Sequence, residues 1–147
     1  DVLAGHPDLK IVLDHAGNPG PHHRHDTAWR DGLAALGRRT TAVCKVGDFS
    51  LPAGPRADEA RCAAILGEVV ACFGETRLIF GSNWPVSRLR QRYGETLASL
   101  GATAARIGLD LEQLRHATTL NATALYSRPR PADGIGARRS RSRTIPR

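Results

Sequence analysis

Three short apolar runs, each closed by turn-forming residues and each followed by a helical pattern, set the narrowest limit on what this chain can fold into. Lys10-Ile-Val-Leu-Asp14 runs into His15-Ala-Gly-Asn-Pro19. Thr40-Thr-Ala-Val-Cys-Lys-Val46 runs into a loop from Gly47 to Pro55. Leu78-Ile-Phe80 breaks at Gly81-Ser-Asn-Trp-Pro85. Continuous apolar runs of this length, rich in β-branched residues and bounded by Gly and Pro, read as buried parallel strands. Between and after them the period changes. Asp26 caps a helix to about Leu36, with Trp29, Leu33 and Leu36 on one stripe and Gly37 as its stop. Asp58 to Phe73 reads as a second helix, and stretches near Leu89–Leu100 and Leu111–Tyr126 as two more. Strand, loop and helix repeated in this order predict βα units around a parallel sheet.

The 147 residues suffice for one domain but not for a closed (β/α)₈ barrel, which takes roughly 250. The chain opens on Asp1-Val2-Leu3 and contains no Met, which reads as the interior of a longer sequence. Residues 1–127 form the expected domain. From Arg128 the composition is Arg, Pro, Gly and Ser, which cannot bury a core and predicts a disordered tail over 128–147.

The net charge of +7 belongs mainly to that tail. Its seven Arg and single Asp133 carry +6, leaving +1 for the preceding 127 residues. A near-neutral body argues against nucleic acid as the partner, although Arg138–Arg143 resembles a basic patch in isolation. Three cysteines, Cys44, Cys62 and Cys72, give an odd count with no CxxC spacing, as expected for reduced thiols in a cytoplasmic protein. No apolar run approaches the roughly 20 residues of a membrane span.

In parallel α/β folds the chemistry collects at the carboxyl ends of the strands. Here those ends carry Asp14-His15, Lys45 and Ser82-Asn83-Trp84. The His15 imidazole can bind metal, exchange a proton or polarise a carbonyl, or it can simply close the strand end. Lys45 can bind a carboxylate or hydroxyl, or snorkel with its stem packed. Asn83 can donate and accept hydrogen bonds but takes no proton at neutral pH. Trp84 offers a face for stacking on a ring, or a core anchor for the turn fixed by Pro85. The run His22-His-Arg-His25 lacks the spacing of a zinc site and lies in a Gly/Pro loop, which argues for an exposed polar segment. There is no phosphate-binding glycine loop, GxSxG elbow or HExxH.

Taken in order, Val12-Leu-Asp-His-Ala-Gly-Asn-Pro19, Trp29, Gly32-Leu33, Val43-Cys-Lys-Val-Gly47, Phe73-Gly74, Arg77–Val86 and Asn121-Ala-Thr-Ala-Leu-Tyr126 resemble the amidohydrolase-related proteins, in the branch of sugar lactonases and pyrone-dicarboxylate lactonase. The likeness covers about residues 7–127, and Arg77–Val86 is its most specific segment. It implies the C-terminal portion of a TIM (β/α)₈ barrel, with about three parallel strands, their helices and an incomplete barrel. It implies a hydrolase acting on a lactone or related cyclic ester, with a small-molecule substrate such as a sugar-acid derivative.

His15 would be the active-site His of a later strand and a candidate metal ligand. Asn83 would occupy the position of the family's Asp, which acts as general base and as ligand where a divalent metal, Zn or Mn, is bound. Lys45 and Trp84 would bind substrate. The amide at 83 departs from that pattern, and so does the absence of the family's first-strand His-x-His. Together they predict impaired hydrolysis. The alternative is a non-catalytic binding or assembly protein derived from the barrel. Such a chain would be completed by a missing N-terminal half or by oligomerisation, because exposed sheet edges invite pairing.

Overall fold

A computed structural model describes residues 6, 9–20, 26–48 and 59–127. Three parallel strands, β1 (Val12–Leu13), β2 (Val43–Gly47) and β3 (Leu78–Gly81), form one sheet in the order β1-β2-β3. Val12 pairs with Val43, and Cys44 through Gly47 pair with Leu78 through Gly81. Helices α1 (Thr27–Arg39) and α2 (Glu59–Phe73) follow β1 and β2, and α3 (Tyr93–Arg106) follows β3. The chain then continues through α4 (Leu111–Arg115), a π turn at His116–Leu120 and α5 (Asn121–Tyr126).

Alternation along β2 shows how the layers form. Cys44 and Val46 are fully buried against Leu33 of α1, Ile65, Leu66 and Val69 of α2, and Leu100 of α3. Val43, Lys45 and Gly47, on the opposite face, are only half-buried. Side chains two residues apart share a face of the sheet, so one face is covered by helices and the other is partly open.

Several element ends differ from the sequence expectation. The first strand keeps two residues, because the chain leaves it at Asp14 in a tight turn through left-handed His15 and Ala16. Gly37 does not stop α1. It sits inside the helix, where a Cβ would meet the Cys72 carbonyl oxygen at 2.3 Å, so the glycine permits close helix crossing. The expected helix near Leu89–Leu100 begins later. Val86–Leu89 is a 3₁₀ turn, and α3 starts where the Glu95 carboxylate accepts from the Arg92 N–H at 2.6 Å. Asp26 caps α1 as expected, accepting from the Trp29 N–H at 2.9 Å. The His22–His25 run, Asp58 and the basic tail lie outside the described residues.

The foot of the sheet is held by one side chain. The Arg77 guanidinium, just before β3, donates to the carbonyls of Gly37 (2.7 Å), Thr40 (2.9 Å) and Phe73 (3.0 Å), with longer contacts to Ala42 and Cys72. It also lies over the Phe73 ring, 5.4 Å from its centroid. These carbonyls belong to the ends of α1 and α2 and to the entry of β2, where helical partners run out. A Lys cannot reproduce the planar fork. Arg77→Lys is therefore expected to lower unfolding free energy by about 2–4 kcal/mol, measured by urea denaturation. Arg39→Lys, at an exposed position, should change it by less than about 0.5 kcal/mol.

Candidate active site

At the carboxyl ends of the strands lies an open cavity of about 500 Å³, lined by His15, Lys45, Ile79, Asn83, Trp84 and Tyr93 among others. The four residues singled out from sequence, His15, Lys45, Asn83 and Trp84, all reach it.

The backbone that presents them is unusual. His15 (φ 50°), Ala16 (φ 52°), Asn18 (φ 51°) and Asn83 (φ 56°) are in the left-handed region, which costs non-glycine residues energy and tends to collect at functional sites. Around His15 this conformation is pinned. The Trp29 indole Nε1 donates to the Ala16 carbonyl at 2.7 Å, and the Asn18 N–H donates to the His15 carbonyl at 2.9 Å. Beyond it, the Arg61 guanidinium, buried on α2, donates to the Pro19 and Gly20 carbonyls, both at 3.0 Å. Asn83 is held from the other side, its carbonyl accepting from the Ser87 N–H at 2.9 Å. The Trp84–Pro85 peptide is cis.

The second strand, expected to end at Val46, runs one residue further. β2 extends to Gly47, and Lys45 lies within it on the open face, opposite Ile79. Its stem crosses Gly81, where a Cβ would fall 2.6 Å from Lys45 Cγ. Its ammonium forms an ion pair with Asp14. That hydrogen bond, reinforced by the Lys45 and His15 charges, holds the Asp14 carboxyl below the ordinary carboxylate value, against the opposing effect of burial. The snorkelling reading is thus half right, since the stem packs while the head is paired. Trp84 is 60% exposed, so it is not a core anchor but a wall of the cavity.

Asp48 was missed by the sequence reading. It follows the last residue of β2 and is buried, and its Oδ2 accepts a long hydrogen bond, 3.4 Å, from Asn83 Nδ2. A carboxyl group one residue past a strand end was a usable signal, hidden by placing the strand terminus too early. Tyr93 and Tyr126 also border the cavity, the first packed edge-on against Phe80 at 6.5 Å. They were read only as helical residues. Cys44 lies on the opposite, core face, where burial pushes its thiol up to about 12, so it is no nucleophile at neutral pH.

Among the described residues no three His, Cys, Asp or Glu are placed to hold a metal ion. The cavity supplies the His15 imidazole and the Asn83 amide, fewer than the three protein ligands that a catalytic zinc takes. These residues alone therefore do not fit a metal centre. Nor is any helix among the described residues long and apolar enough to cross a membrane.

A family model described as Amidohydrolase matches residues 1–128. The chain belongs to the amidohydrolase family. It is 36% identical over 140 residues to an L-fucono-1,5-lactonase of Burkholderia multivorans, covering 88% of this chain and 47% of that protein. A crystal structure of an amidohydrolase from Burkholderia multivorans with bound Zn superposes with a TM-score of 0.75 at 29% identity, over 87% of this chain and 47% of that one. A Pseudomonas putida protein assigned as a 2-pyrone-4,6-dicarboxylic acid hydrolase matches with a TM-score of 0.66 at 25% identity, over 80% and 43%. The family member described here thus spans about half the length of these relatives. Its three-stranded open sheet with outer helices is the corresponding part of an amidohydrolase TIM barrel.

Lys45→Met should release Asp14 and return its carboxyl toward the ordinary value in an NMR titration. Because the folded value is depressed, the pair stabilises the fold above the unfolded carboxylate range, and that increment is lost as pH falls through the folded value. The stability gap between parent and variant, under about 1 kcal/mol for so exposed a pair, should therefore close below about pH 4. Trp29→Phe removes the bond to the Ala16 carbonyl. It should shift the His15 ring resonances in the NMR spectrum while leaving those of the β2–β3 core in place.

Proposed function

We propose that this protein is part of a lactonase-like hydrolase whose strand-end cavity binds the ring of a sugar-acid lactone or a related cyclic ester. The observation that carries the proposal is the convergence of His15, Lys45, Asn83 and Trp84 on one cavity. Each supplies something a lactone needs. The exposed Trp84 face can stack on a sugar ring. The Lys45 ammonium can donate to the ester carbonyl, where negative charge develops as water attacks. His15 is the one cavity side chain of a type that exchanges a proton near neutral pH. It is our candidate to take the proton from water and return it to the leaving ring oxygen.

Asn83 cannot share the proton transfer. Loss of a general base typically costs 10²–10⁴-fold in rate, so this chain would bind lactones better than it hydrolyses them. Relatives' substrates favour a sugar-acid lactone or pyrone dicarboxylate as the class. The bound Zn in one structural relative favours a divalent metal in the complete fold, and there His15 would be this chain's donor toward it instead of the proton acceptor.

The test is to titrate the chain with L-fucono-1,5-lactone while following Trp fluorescence, and to measure hydrolysis with and without added Zn²⁺ or Mn²⁺. Saturable quenching is expected, weakened about tenfold by Lys45→Met, a loss of about 1.4 kcal/mol. Turnover should stay near background. Absence of binding, or turnover well above background that His15→Ala leaves unchanged, would overturn the reading.

A further inference from the structure

Asn83 has two chemically opposite ends, a carbonyl oxygen that accepts and an NH₂ that donates. Which end meets the cavity decides what it can recognise. The buried neighbour settles this. Asp48 is 5% exposed, and its Oδ2 lies 3.4 Å from Asn83 Nδ2. A buried carboxylate needs donors around it. Turning the amide over would set its oxygen against the carboxylate oxygen, two acceptors with no proton between them. The left-handed backbone at Asn83 (φ 56°) and the hydrogen bond from Ser87 N–H to its carbonyl hold the residue in place, so the side chain cannot escape that choice by a backbone shift.

We propose that Asp48 is a positioning residue that locks the Asn83 amide with its NH₂ turned inward, leaving the carbonyl oxygen as the hydrogen-bond acceptor of the cavity. Asn83 then presents the cavity with what one oxygen of a carboxylate would present, without the charge and without the ability to take a proton. Its preferred ligand group is a neutral donor, a ring hydroxyl or a water molecule. A carbonyl or carboxylate oxygen is disfavoured at that point. The identity of the donor as a sugar hydroxyl rests on the lactone reading above, whereas the orientation of the amide does not.

The decisive measurement is the Asn83 side-chain NH₂ signal in ¹H–¹⁵N NMR spectra of the full chain, assigned by its loss in Asn83→Ser. In the parent protein one Asn83 amide proton should resonate downfield and exchange slowly with solvent. In Asp48→Ala that shift should collapse and exchange should accelerate roughly five- to tenfold, the worth of one modest hydrogen bond. Should Asp48→Ala fail to fold, Asp48→Leu, which keeps most of the volume and removes both acceptor oxygens, provides the same comparison. An Asn83 NH₂ signal unchanged in a folded Asp48 variant would overturn the proposal.

A second arm probes the acceptor with L-fucose and with tetrahydropyran, a ring of similar size without hydroxyls. L-fucose should move the Asn83 signal and bind several-fold more tightly than tetrahydropyran, and the Asp48 variant without an acceptor should narrow that preference. Equal binding of both rings by the parent protein would overturn the acceptor role. Because the NH₂ signal is read without ligand or turnover, failure of the lactone reading leaves this result distinguishable.

Discussion

The arrangement of the sheet depends on a guanidinium where three elements end. Arg77 collects carbonyls from the last turns of α1 and α2 and from the residues that lead into β2. A helix end buried without partners is costly, and parallel βα units bring such ends together at the foot of every strand. A charged fork that serves several at once satisfies them with a single side chain. Because Arg77 directly precedes β3, it also ties the start of that strand to its neighbour. Asn121 reinforces this from α5, its Nδ2 donating to the Glu75 and Leu78 carbonyls at 2.9 and 2.8 Å. With the strand feet aligned, the register places Lys45 beside Ile79 and Gly47 beside Gly81. The strand ends then reach the rim together.

At that rim, glycine is used to give space as well as backbone freedom. Gly81 leaves room for the Lys45 stem, and Gly47 (φ 156°) lies so close to β3 that a Cβ would meet the Gly81 carbonyl oxygen at 2.1 Å. The cation and its Asp14 partner are thus carried across the sheet toward the His15 turn. Strain is concentrated on the same side, in the left-handed residues at 15, 16, 18 and 83. Its cost is offset by the Trp29 and Arg61 hydrogen bonds to the adjoining carbonyls. Neither side chain lines the cavity, yet both hold the turn that does.

Much of this was legible in the sequence. The three apolar runs and their loops predict three parallel strands, and Asp26 announces its own helix start. Strand-end logic brings His15, Lys45, Asn83 and Trp84 to one place because topology dictates it. What escaped was set by contacts between segments distant in sequence. Gly37 looks like a helix stop, and only the approach of the Cys72 carbonyl reveals it as a packing glycine. Trp84 reads equally as a stacking face or a core anchor from local sequence, and its 60% exposure in the fold excludes the anchor. Asp48 lies 35 residues from Asn83, and no local pattern joins them.

The two faces of β2 separate stability from chemistry. Cys44 and Val46 are enclosed by helices to 0–1% exposure, so enlarging or removing either disturbs the core directly. Lys45, one residue away, keeps a side chain 26% exposed, and a substitution that keeps its stem over Gly81, such as Lys45→Met, alters charge near His15 with little loss of packing. The same division explains why an amide can stand at position 83 without loss of the fold. Lys45 stands on the face of β2 opposite the one that the helices bury. An Asp at 83 would instead meet the Asp48 carboxylate across 3.4 Å, where two like charges resist joint ionisation. In this chain the amide at 83 is thus matched to the buried acid at 48, where a second carboxylate would not be.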